Sequence, residues 1–577
     1  MLWKLLVQYS KPYRGLLLAV VLFQLIQSVA SLYLPSLNAD IIDDGVAKGD
    51  TGFILSTGGL MLAITLVQVA ASITAVYFGA RLAMSIGRDL RRAVFRRVGD
   101  FSEQEVQRFG APSLITRSTN DVQQVQMLVL MSCTMLVSAP ILAIGGIVFA
   151  LREDLVLSWI MVVAVPVMLG AVGLIVVRMV PLFRSMQTRI DQVNRVMREQ
   201  LTGIRVIRAF VREPVEQARF DDANAALTKT ALDAGRLFAL VFPIVMLVLN
   251  VSSVAVLWFG AFRVDSGEMQ IGALTAFLSY LLQILMAIMM ATFMAIMIPR
   301  AAVSGVRIKE VLDTDSSVVL PEEAVDRLAE PGAIEFDRVT FSYPGAESPV
   351  LHEISFVAEP GRTTAIIGAT GAGKTTIIGL AARLFDASEG TVKIGGTDVR
   401  DLGEAALYDQ LALVPQKPYL FAGTVASTLR YGNPEASDAQ LRTALEIAQA
   451  IDFVDAMPGG LESPIAQGGT NVSGGQRQRL SIARALVKDP PILLFDDSFS
   501  ALDTATDARL RDALQTRVPG VTKLIVAQRV ATIIDADQIL VVENGRITGR
   551  GTHDELLETS EAYAEIVASQ LSAEEAA

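Results

Sequence analysis

Long apolar runs alternate with arginine-rich stretches over the first half of the chain. Six of these runs are long enough to cross a bilayer about 30 Å thick, which takes roughly 20 helical residues. They occupy residues 16–34, 53–78, 125–151, 155–180, 237–262 and 271–298. The pattern therefore predicts six transmembrane helices within a domain that spans residues 1–315.

The connections between the runs differ in charge. Arginines cluster after the second and fourth runs, as at Arg91 and Arg195, whereas the other connections are short and acidic, with Asp43, Glu153 and Asp265. Because basic residues tend to stay on the cytoplasmic side, this asymmetry predicts that both termini are cytoplasmic.

The two arginine-rich connections are much longer than a turn and keep a helical period. We expect helices two to five to extend well past the bilayer into the cytoplasm, and each pair to meet in a short turn near residues 108–122 and 203–214. The alternative is that these are solvated, positively charged helix ends. Glycine or proline beside apolar residues in each turn favours a docking surface.

A few polar or polarisable side chains interrupt the apolar runs. Gln24, Gln27, Gln283 and Asn250 are expected to face the interior of the bundle. The sixth run carries a methionine stripe, which either adapts to varied apolar ligands or packs against lipid and neighbouring helices. Its members are Met286, Met289, Met290, Met294 and Met297.

Composition agrees with a membrane protein. The 577 residues are 52% hydrophobic with a formal net charge of −11, and the mean hydropathy is +0.45. The acidic balance argues against a nucleic-acid partner. The N-terminal stretch MLWKLLVQYSKPYRG has no small-residue cleavage site, so it predicts an interfacial amphipathic helix rather than a signal peptide.

A second domain follows an acidic, proline-containing linker at residues 316–332, and it spans residues 333–577. Its decisive motif is GATGAGKT, which follows the apolar run TTAII and opens a helix. Glycines at this spacing let backbone N–H groups surround phosphates, Lys374 reaches the terminal phosphates and Thr375 holds Mg²⁺.

Two further motifs lie downstream of this phosphate loop. The run PPILLFDDSFSALD reads as a buried parallel strand that ends in Asp496 and Asp497, and Asp496 suits Mg²⁺. The stretch NVSGGQRQRL opens a helix at its Ser-Gly-Gly, which offers a second phosphate-binding N-terminus without a lysine. It therefore suits a nucleotide held by another subunit.

The ordered set GATGAGKT, VPQKPYLF, VSGGQ, ILLFDD and SALD resembles the ATP-binding-cassette (ABC) family, and with six preceding spans it resembles an exporter-type half-transporter. The resemblance implies a six-helix transmembrane domain with long cytoplasmic helix extensions, then an α/β P-loop (RecA-like) nucleotide-binding domain with a helical subdomain. It also implies a multi-pass protein of the inner (plasma) membrane, and a dimer with two ATP sites. Each site would pair the phosphate loop of one chain with the signature motif of the other.

The resemblance assigns individual roles, with ATP and Mg²⁺ as cofactors. ATP would contact Tyr343, Gly368, Ala369, Thr370, Gly371, Ala372, Gly373, Lys374, Thr375, Thr376 and Gln416. Mg²⁺ would be held by Thr375, Gln416 and Asp496. The signature residues Ser473, Gly474, Gly475 and Gln476 would face the partner's nucleotide, and Asp503 would cross the interface.

Two positions depart from the family pattern within one catalytic step. The family has glutamate after the Mg²⁺ aspartate, where this chain has Asp497, and a switch histidine where this chain has Gln528. Aspartate withdraws the carboxylate from the attacking water by about an ångström, which can cost about 10²-fold in rate. Glutamine can hydrogen-bond to a phosphate but cannot become cationic. We expect this phosphate loop to bind ATP and hydrolyse it poorly.

This arrangement resembles the degenerate half of heterodimeric exporters. The partner is then a different half-transporter with a catalytic glutamate and a switch histidine, and the substrate is an amphipathic compound, drug or lipid in the bilayer. Two alternatives stay open: an exporter-fold importer of an iron chelate or other small molecule, and an ATP-binding regulatory protein that does not pump.

Overall fold

The computed structural model describes residues 2–321, 323–326, 328 and 331–574, with side chains except at 295, 296 and 571–574. The chain forms two compact units. The first comprises Met1–Gly99 and Pro112–Thr314, and the second comprises Asp100–Ala111 and Asp315–Ala577.

All regular secondary structure in the described part of the first unit is helical. In chain order up to residue 313 the helices are α1 (Leu2–Ser10), α2 (Arg14–Asp40), α3 (Thr51–Gly99), α4 (Glu103–Phe109), α5 (Ala111–Thr116), α6 (Val122–Met131), α7 (Ser138–Glu153), α8 (Trp159–Thr202), α9 (Ile204–Ala209), α10 (Glu213–Asp265) and α11 (Ile271–Asp313). Of these, α4 belongs to the second unit. Short π-helical segments at Ile41–Val46, Arg117–Asp121 and Ser132–Leu136 join neighbouring helices.

Six helical stretches in the described part of the chain are long and apolar enough to cross a membrane, which confirms the six predicted spans. They run from 43 to 53 residues, far beyond the roughly 20 that a bilayer requires. The predicted extensions are thus continuous helix, because the arginine-bearing stretches keep the period of the apolar runs. The predicted turn near residues 108–122 is itself mostly helical and is interrupted at Gly110, whose φ is 74°.

The polar residues predicted to face inward do not all do so. The Gln24 amide is buried and donates from Nε2 to the backbone carbonyl of Cys133 at 3.2 Å. Asn250, in contrast, is exposed on α10, so the prediction is wrong for that residue within the single chain. The methionine stripe is also mixed, since Met294 is buried and Met286 is exposed. A stripe at helical spacing cannot by itself tell which face is covered.

The second unit is built on a six-stranded sheet and a four-stranded antiparallel sheet. Their strands are β1 (Ile334–Phe341), β2 (Leu351–Ala358), β3 (Thr363–Ile367), β4 (Glu389–Ile394), β5 (Thr397–Asp398), β6 (Leu411–Val414), β9 (Ile492–Asp496), β10 (Thr522–Val526), β11 (Gln538–Glu543) and β12 (Arg546–Gly551), with a separate pair β7 (Gly423–Thr424) and β8 (Pro464–Ile465). The larger sheet has the order β12-β11-β3-β10-β9-β6, and all its pairs are parallel except β11 with β12.

Helices cover both faces of the larger sheet. They are α12 (Lys374–Ala381), α13 (Glu404–Tyr408), α14 (Val425–Arg430), α15 (Asp438–Ile447), α16 (Ile451–Asp455), α17 (Gly474–Val487), α18 (Thr504–Thr516), α19 (Val530–Ile533), α20 (His553–Thr559) and α21 (Glu561–Glu574). Every residue of β9 and β10 is buried, as expected for central strands covered on both sides. Helices α14 to α17 form the predicted helical part.

Candidate functional site

The phosphate loop connects the carboxyl end of β3 to the first turn of α12. Gly373 caps that helix with φ 98°, a left-handed conformation that glycine adopts without steric cost. A Cβ at this position would lie 2.5 Å from Cδ2 of Leu351. Both the backbone angle and the close approach of β2 therefore require glycine here.

Lys374 folds along the loop that precedes it. Its Nζ donates to the carbonyl oxygens of Gly368 at 2.7 Å and Ala369 at 2.8 Å. Burial lowers the pKa of Lys374, while the nearby carboxylates of Asp497 and Asp496 act in the opposite direction. The ammonium group is thus held at the loop with two acids close by.

Thr375 and Asp496 meet directly. The threonine Oγ1 donates to Oδ1 of Asp496 at 2.9 Å, because β3 and β9 flank β10 and both end at the same edge of the sheet. Burial raises the pKa of Asp496, the neighbouring Asp497 raises it further, and the hydrogen bond from Thr375 lowers it. Hydroxyl and carboxylate oxygens are hard ligands, and here they lie close enough to bind one ion, so the pair fits Mg²⁺. In such sites Mg²⁺ is usually bound by one or two protein groups together with the phosphates of the substrate.

Asp497 accepts two amide hydrogen bonds on one oxygen. Its Oδ2 lies 3.1 Å from Nε2 of Gln416 and 2.8 Å from Nε2 of Gln528. The aspartate is buried, and its φ of 47° places it in the left-handed region, where aspartate is more common than most other residues. The structure thus brings together the two departures from the family pattern and joins them to Gln416.

A cavity of about 320 Å³ opens beside these groups. It is lined by Tyr343, Val350, Thr370, Gly371, Gly373, Lys374, Thr375, Thr376, Gln416, Asp497, Val526 and Gln528. Most of the residues predicted to contact ATP therefore share one cavity. Gly368, Ala369 and Ala372 belong to the same loop without lining it, and Asp496 reaches it through Thr375.

Tyr343 is fixed at the rim of this cavity. Its hydroxyl lies 3.1 Å from Oγ1 of Thr376, and its ring packs at right angles to Phe341 and Phe385, with centroids 4.9 and 5.5 Å away. Val350 and Val526 also line the cavity, although neither is among the predicted site residues. Val526 ends β10 two residues before Gln528, so its position in the strand could have indicated it.

The signature residues lie apart from the cavity, since the described lining includes none of them. Ser473 caps α17 in a capping box: its Oγ accepts from the Gln476 amide at 3.3 Å, and its own amide donates to Oε1 of Gln476 at 2.9 Å. Ser473 and Gly474 are exposed, while Gly475 and Gln476 are half-buried. The N-terminus of this 14-residue helix is therefore open to a ligand from outside the chain.

Asp503 also lies on the surface, where it caps α18. Its Oδ1 accepts from the Thr506 amide at 2.9 Å. The side-chain and backbone hydrogen bonds at Thr506 lower the pKa of Asp503. Its predicted role at an interface stays a prediction.

Comparison with known proteins matches both halves of the chain. Residues 17–288 match the family model of the ABC transporter transmembrane region, and residues 351–500 match that of the ABC transporter. An uncharacterized ABC transporter ATP-binding protein of Mycobacterium tuberculosis is 49% identical over 99% of this chain and 98% of its own length. An ATP-dependent lipid A-core flippase of Vibrio vulnificus is 28% identical over 98% of this chain and 97% of its own.

A solved structure agrees with these relatives. A bacterial Atm1-family ABC exporter with ATP bound has a TM-score of 0.82 and 26% identity, and the match covers 96% of this chain and 99% of that one. The predicted exporter-type fold is confirmed.

Proposed function

The chain belongs to the ABC transporter family and is a multi-pass, ATP-driven exporter, and on that premise we propose that it is the degenerate-site subunit of a heterodimer. Its own phosphate loop binds ATP and hydrolyses it slowly. Its signature motif completes a competent site on a different half-transporter.

The observation that carries this proposal is the shared oxygen of Asp497. The carboxylate that follows Asp496 accepts from Gln528 and Gln416 at the same Oδ2. An oxygen that already accepts two hydrogen bonds is a poorer acceptor for the proton of an attacking water. The shorter aspartate also holds the carboxylate farther from that water than a glutamate would.

The groups that bind nucleotide are present beside these weakened groups. Lys374 and the loop amides would hold the phosphates, Tyr343 would stack on adenine, and Thr375 and Asp496 would hold Mg²⁺. The metal, when bound, neutralises charge on the phosphate oxygens. Gln528 can donate its amide to a γ-phosphate but cannot carry a proton to or from it.

The signature supports the second half of the proposal. Ser473 and Gly474 are exposed at the N-terminus of α17 and are unchanged from the family pattern. Such a helix N-terminus binds phosphate through its free N–H groups and its partial positive charge. This chain therefore offers the partner's nucleotide a complete signature.

Transport is proposed to run outward, for an amphipathic compound or a lipid, across the inner membrane with both termini in the cytoplasm. The lipid A-core flippase of Vibrio vulnificus and the Atm1-family exporter align over nearly the full chain, which favours a membrane-embedded substrate and outward transport. The exposed Met286 and the partly buried Met289 on α11 would adapt to such ligands.

The test is to purify the tagged full chain from its native membrane in mild detergent and to measure intact masses. We expect a second, different half-transporter at one-to-one stoichiometry, with glutamate and histidine at the positions of Asp497 and Gln528. A homodimer would overturn the division of labour between two chains.

A further inference from the structure

The C-terminal helix holds the backbone at Gln528 and just after it. The side chain of Gln570, on α21, accepts from the Val530 amide at Oε1 over 2.7 Å and donates from Nε2 to the Gln528 carbonyl over 2.8 Å. One amide group thus satisfies a donor and an acceptor two residues apart in the segment that follows β10.

Gln570 lies on the inner face of α21. Tyr563, Val567 and Gln570 are four and three residues apart, which places them on one side of a helix. Tyr563 and Val567 belong to the same buried cluster as Val530 and Ile533. The helix is therefore docked by its apolar residues as well as by the hydrogen bonds of Gln570.

A second contact fixes the start of this helix. The hydroxyl of Tyr563 lies 2.8 Å from Nδ1 of His553, the first residue of α20. His553 and Tyr563 are both part of the C-terminal helical pair, and Tyr563 is fully buried. Packing at this end keeps α21 in register against the segment that carries Gln528.

The segment that carries Gln528 depends on hydrogen bonds from outside its own short helix. Helix α19 has only four residues, and its capping residue Arg529 makes no side-chain cap, so the Val530 amide takes its partner from Gln570 instead. On the other side, the Ala527 amide donates to the carbonyl of Ile366 in β3 at 3.1 Å. The backbone of Gln528 is held between these two anchors while its side chain reaches Asp497.

We propose that Gln570 is a positioning residue of the nucleotide site: it fixes the backbone around Gln528 and thereby aims the Gln528 amide at the γ-phosphate. This inference rests on the proposed ATP site of this chain. It assigns the C-terminal helix a part in distinguishing ATP from ADP, because ADP has no γ-phosphate for Gln528 to contact.

The experiment is photolabelling of the full chain with 8-azido-ATP and 8-azido-ADP, scored on this chain alone. Gln570→Leu should weaken labelling by the ATP analogue about fivefold, the size that loss of one ordinary hydrogen bond gives. Labelling by the ADP analogue should not change. Gln515→Leu, at an exposed glutamine of α18, is the matched control and should leave both unchanged.

Two further measurements separate positioning from packing. Gln570→Leu removes both hydrogen bonds, so hydrogen exchange of residues 527–533 should become faster than in wild type, whereas Gln515→Leu should leave it unchanged. In a Gln528→Ala background, Gln570→Leu should cause no further loss of ATP labelling, because its effect passes through Gln528.

The outcomes distinguish this inference from the proposed function. Equal loss of ATP and ADP labelling, losses that add in the double variant, or exchange of residues 527–533 that is no faster in Gln570→Leu than in wild type would each overturn the positioning role alone. A wild-type chain that 8-azido-ATP does not label would overturn the proposed site and this inference with it, whereas a Gln528→Ala variant that labels like wild type would overturn this inference alone.

Discussion

Gln528 donates a 2.8 Å hydrogen bond from Nε2 to Oδ2 of Asp497. The two residues that depart from the family pattern are therefore joined directly, through one carboxylate oxygen of Asp497. Changing either one alone leaves the other in contact with the site, so their effects on hydrolysis are expected to depend on each other.

Asp497→Glu alone should raise hydrolysis at this chain's own site by less than about threefold, whereas Asp497→Glu with Gln528→His should raise it by about 10²-fold, the range over which a misplacement of about one ångström acts. Single-turnover hydrolysis by the complex measures this. All variants in this measurement also carry Ser473→Ala, which is expected to prevent hydrolysis at the partner's site. A large gain from Asp497→Glu by itself would refute the account based on two defects.

Ser473→Ala should abolish most turnover of the complex, because it removes a signature group from the partner's site. It also removes a helix cap, at about 1 kcal/mol. Ser437 is the matched control, since it caps α15 in the same kind of box with Gln440. Ser437→Ala should cost similar stability in thermal unfolding and leave turnover intact; equal loss of turnover in both variants would show that Ser473 acts only as a cap.

Tyr343→Ala should weaken ATP binding to this chain about tenfold, within the range for loss of a base–aromatic stacking contact. Tyr343→Phe keeps the ring and loses only the hydroxyl contact with Thr376, so it should bind ATP nearly as wild type does. Titration with a fluorescent ATP analogue measures both. If the phenylalanine variant binds as weakly as the alanine variant, the hydroxyl rather than the ring supports binding.

Asp496→Asn should stabilise the nucleotide-free chain and remove the added stability that Mg²⁺ gives with ATP. Burial raises the pKa of Asp496, so its charged form is disfavoured in the folded state. The increase in the free energy of unfolding that asparagine gives should be complete at pH values above the raised pKa. It should vanish below the ordinary pKa of 3.8, where aspartate is neutral in both the folded and the unfolded chain. Thermal unfolding over a pH series measures it, with and without MgATP.

A gain that persists unchanged at pH 3 would show that charge burial at Asp496 is not its cause. The hydrogen bond from Thr375 does not confound the comparison, because the oxygen of asparagine can still accept it.

Local patterns were sufficient to predict the phosphate loop and the strand that ends in Asp496. A glycine-rich stretch between an apolar run and a helix, and a fully apolar run ending in two acids, each depend on neighbours in sequence. The resemblance also implied that Thr375 and Asp496 share one Mg²⁺, and their contact follows from the order of the parallel strands in the structure.

Other features depend on packing that spacing does not encode. Nothing in the sequence indicates that Gln416 and Gln528 share one oxygen of Asp497, or that Gln570 caps α19 from a helix 40 residues away. Asn250 in the first unit is a similar case. The sequence of an apolar run does not show which face of the helix is covered by neighbouring helices, so the exposure of Asn250 could not be predicted.

The left-handed backbone of Asp497 bears on how this chain can change over evolutionary time. Aspartate and glutamate codons differ at a single base, so a change to glutamate is always one mutation away. At φ 47°, however, the longer side chain sits in a conformation that favours aspartate, and Gln528 still occupies the carboxylate. A glutamate at this position would meet that conformational cost before any gain in activity, so the backbone itself favours keeping aspartate.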